Sequence, residues 1–328
     1  MTKAIRIHEQ GVPELMRWED VEVGAPGKGE ARVRHTAVGL NYIDVYQRSG
    51  VYKLPMPMIL GLEGAGVVEE VGVGVDDLKP GQRVAYAGIP PGAYTEERLI
   101  PAHRLVSLPD SLDDQQGAAM MLQGMTAQYL IRRTYRVRDG DTILVHAAAG
   151  GVGLILCQWA KHLGVTVIGT VGTDGKAELA RANGCAHTIV YSRENVAERV
   201  REITGGEGVP AVYDSVGQAT FEGSIDSLRP LGMMVSFGNA SGPLAPLDSS
   251  ILAAKGSLFF TRPSLMTYTA AREDLLASAG ELFDVVMGGH VKIAVNQTYA
   301  LEDAVQAHRD LEARKTTGST VLIPLKAS

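Results

Sequence analysis

Asp141 to Lys161, DTILVHAAAGGVGLILCQWAK, holds the residues whose types and spacing point most directly to chemistry. Ala148, Gly150 and Gly153 stand at the three small-residue positions of the dinucleotide-binding fingerprint, with alanine at the first. Small residues there let the backbone turn tightly and approach a pyrophosphate, and Gly153 lets helix and strand pack closely. Phosphates then meet free N–H groups and the positive end of a helix dipole. The bland alternative is a plain close-packed turn, and the flanking strand and helix argue against it. An NAD-preferring site usually carries an acid about 20 positions further on, bonded to the ribose 2′-hydroxyl. Here Gly169-Thr170-Val171-Gly172-Thr173 offers none. Asp174 comes slightly later, and Lys176 could pair with a 2′-phosphate, so NADPH is favoured over NADH. The alternative for Lys176 is a solvated residue in a first helical turn.

The elements that must position these residues follow from periodicity. Thr142 to Val145 is a short β-branched run, a buried strand, and Leu154 to Leu163 has helical spacing. Strand and helix patterns then alternate: Thr166–Thr170 with Lys176–Asn183, Thr188–Tyr191 with Val196–Ile203, and Ala211–Asp214 with Phe221–Leu228. Met233–Phe237 and Ser257–Thr261 follow as strands. Such alternation builds an α/β domain, a doubly wound parallel Rossmann sheet with helices on both faces. Before it, from Met1 to about Leu122, the chain is β-rich and punctuated by glycine and proline. Ala31–Val38, Gly64–Val73 and Arg83–Ala87 read as strands of a small barrel-like domain. Gly117 to Leu130 is a small-residue-rich helix. Beyond Arg262-Pro263, the pattern predicts a helix over Ala271–Met287, strands near Val291–Val295 and Thr320–Ile323, and a helix over Leu301–Ala313.

At 328 residues the chain is long enough for two domains. Its 45% hydrophobic and 21% charged composition argues against disorder. A formal charge of −6 argues against a nucleic-acid surface. Two cysteines, Cys157 and Cys185, cannot form a disulfide framework and suit a reducing cytoplasm. Cys157 reads as a small buried hydrophobe. No window reaches the roughly 18 apolar residues of a membrane span, and no Gly-x-Ser-x-Gly elbow suggests a hydrolase.

Gly140-Asp141, Leu144, Ala148-Ala149-Gly150-Gly151-x-Gly153, Gln158 and Lys161 together resemble the signature of the quinone oxidoreductase and zeta-crystallin group. That group belongs to the medium-chain dehydrogenase/reductase superfamily. Asn41–Gly50 (NYIDVYQRSG), Tyr213–Gly217 (YDSVG) and Arg262–Leu265 (RPSL) extend the likeness over nearly the whole chain. The resemblance implies a GroES-like catalytic domain begun by residues 1–122, a Rossmann NADPH-binding domain over 123–262, and a return to the first domain over 263–328. It also implies a homodimer, and the apolar sheet edge at Ser257–Thr261 would need covering. Matched positions place cofactor contacts at Tyr42, Ile43, Tyr46, Tyr129, Gly150, Gly151, Val152, Gly153, Gly172, Thr173, Lys176, Tyr191, Val216, Phe237, Gly238, Arg262 and Arg314. Either arginine is alternatively a surface ion-pair partner.

Zinc-dependent members of that superfamily carry an early cysteine and a Gly-His-Glu motif. This chain has Asn41-Tyr42-Ile43-Asp44 and Gly61-Leu62-Glu63 in their places, and leucine cannot ligate zinc. The four cysteines of the structural zinc lobe are missing too. A metal-free hydride transfer remains, to an acceptor that is already electrophilic: a quinone or another conjugated carbonyl. Asn41, Asp44, Tyr46 and Tyr52 are the expected pocket residues, on a segment resembling the family's active-site loop. Both tyrosines are alternatively packing residues. An enoyl or alkenal reductase stays open as a second enzyme reading, and an NADPH-binding sensor or structural protein as a non-enzyme one.

Overall fold

The computed structural model describes residues 1–324. The chain divides into two compact units. One comprises Met1–Met125, Thr269–Met287 and the described residues from Ile293 onward, and the other Thr126–Tyr268 and Gly288–Lys292.

The chain enters the first unit through β1 (Thr2–Ile7), β2 (Arg17–Val21) and β3 (Glu30–Leu40). Burial alternates along β3 as far as Ala37, and Val38 to Leu40 are then all buried. Next come α1 (Tyr42–Ser49), β4 (Met58–Ile59), β5 (Glu63–Val71), β6 (Arg83–Ala87), β7 (Glu97–Pro101) and β8 (Val106–Ser107). The expected loop at Asn41–Gly50 is therefore a helix. Its start is set by the Asn41 N–H donating to Asp44 Oδ2 at 2.9 Å, half of a capping box. Its end is set by Gly50, whose φ of 87° suits a left-handed cap. α2 (Asp114–Tyr129) follows, and the boundary between the units falls inside it. Gly39 explains how closely α2 lies on β3: a Cβ there would come within 2.2 Å of the Ala118 carbonyl oxygen.

The second unit opens with β9 (Thr142–Val145), α3 (Gly151–His162), β10 (Thr166–Val171), α4 (Asp174–Ala182), β11 (His187–Val190) and α5 (Val196–Ile203). It continues with β12 (Val209–Asp214), α6 (Phe221–Ser227), β13 (Leu228–Ser236), α7 (Ser250–Ala254), β14 (Phe259–Thr261) and α8 (Leu265–Tyr268). The strand order is β11-β10-β9-β12-β13-β14, with every pairing parallel. That is the doubly wound Rossmann order, which reverses beside β9. Leu144, Ile168, Ile189, Val212 and Met234 fill its core.

The chain then adds α9 (Arg272–Met287), β15 (Val295–Ala300), α10 (Ala304–Glu312) and β16 (Ser319–Ile323) to the first unit. The strand expected at Val291–Val295 in fact begins at Val295, because its register is set by parallel pairing with β16. The helix expected from Leu301 opens with one 3-10 turn, Leu301–Asp303. β16 pairs with β3, giving a seven-stranded sheet in the order β15-β16-β3-β5-β6-β8, with β7 also on β3. A separate sheet has the order β2-β1-β4.

α10 is tied to α1 by a buried cation. Arg48, 1% exposed, donates to the Gly11 carbonyl at 2.5 Å and to His308 Nδ1 at 3.3 Å, and pairs with Glu312 at 2.7 Å. Breaking such a pair leaves partners unsatisfied, so Arg48→Met should lower stability by about 3 kcal/mol in urea titration. Burial holds His35 and His308 at about 3, below their ordinary 6.5. Both therefore favour the fold above pH 6.5, and that stability is lost as pH falls toward 3. His308→Gln should flatten this acid limb of the stability profile.

Candidate functional site

In the first unit, Asn41, Asp44, Tyr46, Tyr42 and Tyr52 come together around α1. Asn41 is buried at the helix N-cap, where its Nδ2 donates to Glu63 Oε2 at 2.7 Å and its Oδ1 accepts from Gln123 Nε2 at 3.1 Å. Asp44 is fully buried and accepts at Oδ2 from Tyr94 Oη, 3.0 Å away. Its Oδ1 has no partner. Burial pushes the Asp44 carboxyl up to about 7, against the opposing pull of the Asn41 N–H and Tyr94. Tyr42, Tyr46 and Tyr52 form a chain of rings with successive centroids 5.3 Å apart. Tyr46 is buried, whereas Tyr42, Ile43 and Tyr52 are half-buried. Gln10 fixes the end of this segment by donating to the Gln47 and Tyr52 carbonyls. Arg314 is exposed, with a φ of 57°, and its charge acts on Tyr42.

The second unit carries the other expected residues, and all but Tyr129, at the end of α2, and Lys176, in α4, follow directly on the carboxyl ends of its strands. Ala148, at the first fingerprint position, is buried and donates its N–H to the Thr170 carbonyl at 3.1 Å. Gly153 meets a strict packing limit: a Cβ there would lie 2.4 Å from the Ala147 oxygen. The first helical bond of α3 runs from the Leu154 N–H to Gly150. The N–H groups of Gly151, Val152 and Gly153 therefore precede it and suit an anion. Thr173 caps α4 through the Lys176 N–H, and Gly172 leaves room for Tyr191, whose Oη would lie 2.8 Å from any Cβ there. Tyr129 stacks on Tyr268 at 4.4 Å. Arg262 is exposed and donates to the Ser236 carbonyl at 2.8 Å.

Sequence reasoning missed a buried network beneath these loops. Asp214 Oδ1 accepts the N–H groups of Val216 and Gly217, and Oδ2 accepts the hydroxyls of Thr220 and Ser224. The Ser224 hydroxyl is thus committed as a donor, so its oxygen takes the His146 Nε2 proton at 2.9 Å. His146 Nδ1 then accepts from the Thr170 hydroxyl. Burial keeps this imidazole neutral by lowering its pKa. The Asp214 carbonyl accepts the Phe237 N–H, and Gly238 passes so close to Ser215 that a Cβ would lie 2.3 Å from its oxygen. His146, Thr170 and Asp214 therefore join β9, β10 and β12 immediately before the fingerprint turn, Gly172 and Val216. The available signal was the placement of each polar residue at the end of an apolar strand.

Arg193 was also missed. It holds Asp174 in a two-point ion pair at 2.5 and 2.8 Å, which keeps that exposed carboxyl below its ordinary range. Among the described residues no group of three or more His, Cys, Asp or Glu could hold a metal. Leu62 is buried beside Glu63, and both Glu63 oxygens are engaged, one by Asn41 and one by the Leu122 N–H. The donor set therefore does not fit a zinc ion.

Asp214→Asn should put an NH2 where one carboxylate oxygen now accepts two donors, leaving two of the four facing an N–H. A loss of about 2 kcal/mol is expected in thermal unfolding, together with weaker dinucleotide binding by fluorescence titration.

Residues 27–110 match the alcohol dehydrogenase GroES-like domain family, and residues 151–279 match the zinc-binding dehydrogenase family. A quinone oxidoreductase of Pseudomonas aeruginosa is 53% identical, covering 99% of this chain and 100% of that protein. A 2-haloacrylate reductase of a Burkholderia species is 48% identical, covering 99% of each. The crystal structure of Escherichia coli quinone oxidoreductase complexed with NADPH superposes with a TM-score of 0.97, at 46% identity, covering 98% of this chain and 100% of that one. Over essentially its whole length, this chain belongs to the quinone oxidoreductase family, built on the GroES-like and Rossmann architecture of the medium-chain dehydrogenases.

Proposed function

We propose that this protein catalyses the zinc-independent reduction of quinones by NADPH. The observation that carries the reading is a dinucleotide turn in a chain whose zinc position is filled by Leu62 and a fully engaged Glu63. When bound, NADPH supplies a hydride. The N–H groups of Gly151, Val152 and Gly153 would hold its pyrophosphate, and Lys176 its 2′-phosphate, with Tyr191, packed against Gly172, a further family-matched contact. Val216, Phe237, Gly238 and Arg262 would line the remaining strand ends, and Tyr129, Tyr42, Ile43 and Arg314 the other family-matched contacts. Asn41, Asp44, Tyr46 and Tyr52 would orient the acceptor. Tyrosine suits that task, since its ring stacks on a flat quinone while its hydroxyl can donate to a carbonyl oxygen. No Lewis acid is required, because a quinone is electrophilic without one; the residues need mainly to position it and exclude water.

A second reading, reduction of an activated carbon–carbon double bond, is favoured by the 48% identity to a 2-haloacrylate reductase. We further propose a cytoplasmic homodimer. The two free thiols suit a reducing compartment. β14 is the last strand of its sheet, and its Phe259 is 56% exposed, an edge that pairing with a second copy would cover.

Following NADPH oxidation by absorbance on chelator-treated protein, with a quinone and an enal in parallel, tests both enzyme readings. Turnover with the quinone is expected. Turnover with the enal alone would transfer the protein to the alkenal reductases, and saturable NADPH binding without any turnover would leave a sensor. Tyr46→Phe and Tyr52→Phe should lower turnover without changing NADPH affinity; unchanged turnover in both would remove these hydroxyls from the mechanism. Lys176→Ala should raise KM for NADPH about tenfold, leave kcat alone and scarcely alter NADH kinetics.

A further inference from the structure

Glu63 is the buried carboxyl that the proposed chemistry leaves unused. It is 0% exposed, and its two oxygens face different kinds of donor. Oε1 takes the Leu122 backbone N–H at 2.7 Å, and Oε2 takes the Asn41 amide at 2.7 Å. Asn41 Oδ1 accepts from Gln123 Nε2 at 3.1 Å, and Gln123 Oε1 accepts the Ser319 hydroxyl at 2.7 Å. Asn41, Gln123 and Ser319 are all buried. The chain thus runs from β5 through α1 and α2 to β16, and its two middle members are amides that can turn over end for end.

We propose that Glu63 is a positioning residue for the acceptor pocket: its proton sets which end of the Asn41 amide faces Gln123, through a two-amide chain ending at Ser319. The proposal rests on the reading of Asn41 as a pocket residue.

The geometry permits only two closed arrangements. The Leu122 N–H can only donate, so Oε1 must remain an acceptor and any proton on Glu63 must sit on Oε2. There it needs an acceptor, which Asn41 supplies only by turning Oδ1 toward it. Asn41 Nδ2 then faces Gln123, which must turn in its own way, presenting Nε2 to the Ser319 oxygen. Ser319 can accept because its hydrogen has a second acceptor, the Ala119 carbonyl at 3.0 Å. Glu63, Asn41, Gln123 and Ser319 each keep a partner along the chain in both states, so one proton selects between two hydrogen-bonded networks rather than breaking one.

The surroundings place that proton within reach of neutral pH. Burial pushes the Glu63 carboxyl up to about 8, with the Asn41 amide and the Leu122 and Met121 N–H groups opposing and the Asp44 charge on α1 adding to the rise. Tyr86 on β6 senses the same charge. His35 on β3 bonds Tyr86 and is held neutral, and Arg98 on β7 donates to the same hydroxyl. Behind Asp44 stand Tyr94, then His308 on α10 and Arg48 on α1.

Glu63→Gln isolates the mechanism. Its single oxygen must serve Leu122, its NH2 must face Asn41, and the chain is then held in the protonated arrangement at every pH. The test is the side-chain amide resonances of Asn41 and Gln123, followed against pH in ligand-free, nitrogen-labelled protein. Both should move together with one midpoint near 8, and both should stay at their acid-side positions in Glu63→Gln. Static resonances, movement of Asn41 without Gln123 at the midpoint near 8, or that midpoint persisting in the variant would overturn the proposal; a step near 7 at Asn41 alone reports the Asp44 carboxyl bonded to its N–H. The midpoint should also appear in the pH profile of kcat and vanish in Glu63→Gln, with NADPH affinity kept within twofold; a midpoint retained in the variant would overturn the positioning role. A wild type without turnover on any acceptor would sink the functional reading alone, because the amide titration needs neither cofactor nor acceptor.

Discussion

Backbone approach closer than any side chain allows is the constraint on which both units depend. At Gly39 a Cβ would lie 2.2 Å from the Ala118 carbonyl and 2.4 Å from Glu63 Oε2. At Gly153 it would lie 2.4 Å from the Ala147 carbonyl. Each glycine therefore lets a helix press on a strand at the point where polar groups must be placed. In the first unit this brings the Leu122 N–H and Gln123 to β5 and α1, and in the second it sets the start of α3 against the turn. Neither contact could be recovered by a neighbour's rotamer change, because the obstructing atoms include backbone.

The buried polar groups in the two units work in different ways. Asp214 receives four donors, two from backbone and two from hydroxyls, and it remains satisfied only in that one arrangement. Such a network makes the strand ends rigid, since shifting any one loop would strand a donor. Glu63 instead sits among groups whose donor and acceptor ends can exchange. Desolvation, which merely penalises ionisation at an isolated carboxyl, there becomes a choice between two hydrogen-bonded states. One unit uses buried polarity to fix a cradle, and the other uses it to keep an orientation adjustable.

The long periodic segments were legible in the sequence. The parallel strands are short β-branched runs that could be buried only in such a sheet, and the fingerprint turn announced itself by its small residues. α1 was missed because the resemblance presented its segment as a loop, although its eight residues are amphipathic; the Asn41-x-x-Asp44 cap, a signal of four residues, defines its start. β15 was displaced because Val291 is buried in its own right and imitates a strand start, whereas register with β16 decides the true position. Glu63, Gln123, His146 and Asp214 could not be connected from the sequence at all. His146 and Ser224 are 78 positions apart, and nothing local to either residue records their 2.9 Å contact.

Asp174 sharpens the argument about cofactor choice. An unpaired carboxylate at the start of α4 would favour a ribose hydroxyl and repel a phosphate dianion, and composition alone leaves both outcomes open. The structure gives that carboxylate to Arg193, in a pair whose side chains are 70% and 57% exposed. An exposed pair contributes little to stability, but it offsets a negative charge that would oppose a 2′-phosphate near Lys176. The same guanidinium retains donors that can be shared with an incoming anion. Discrimination would then lie in charge balance across a solvent-facing loop, so it should weaken as ionic strength rises, while the buried turn at Gly153 continues to hold the pyrophosphate common to both cofactors.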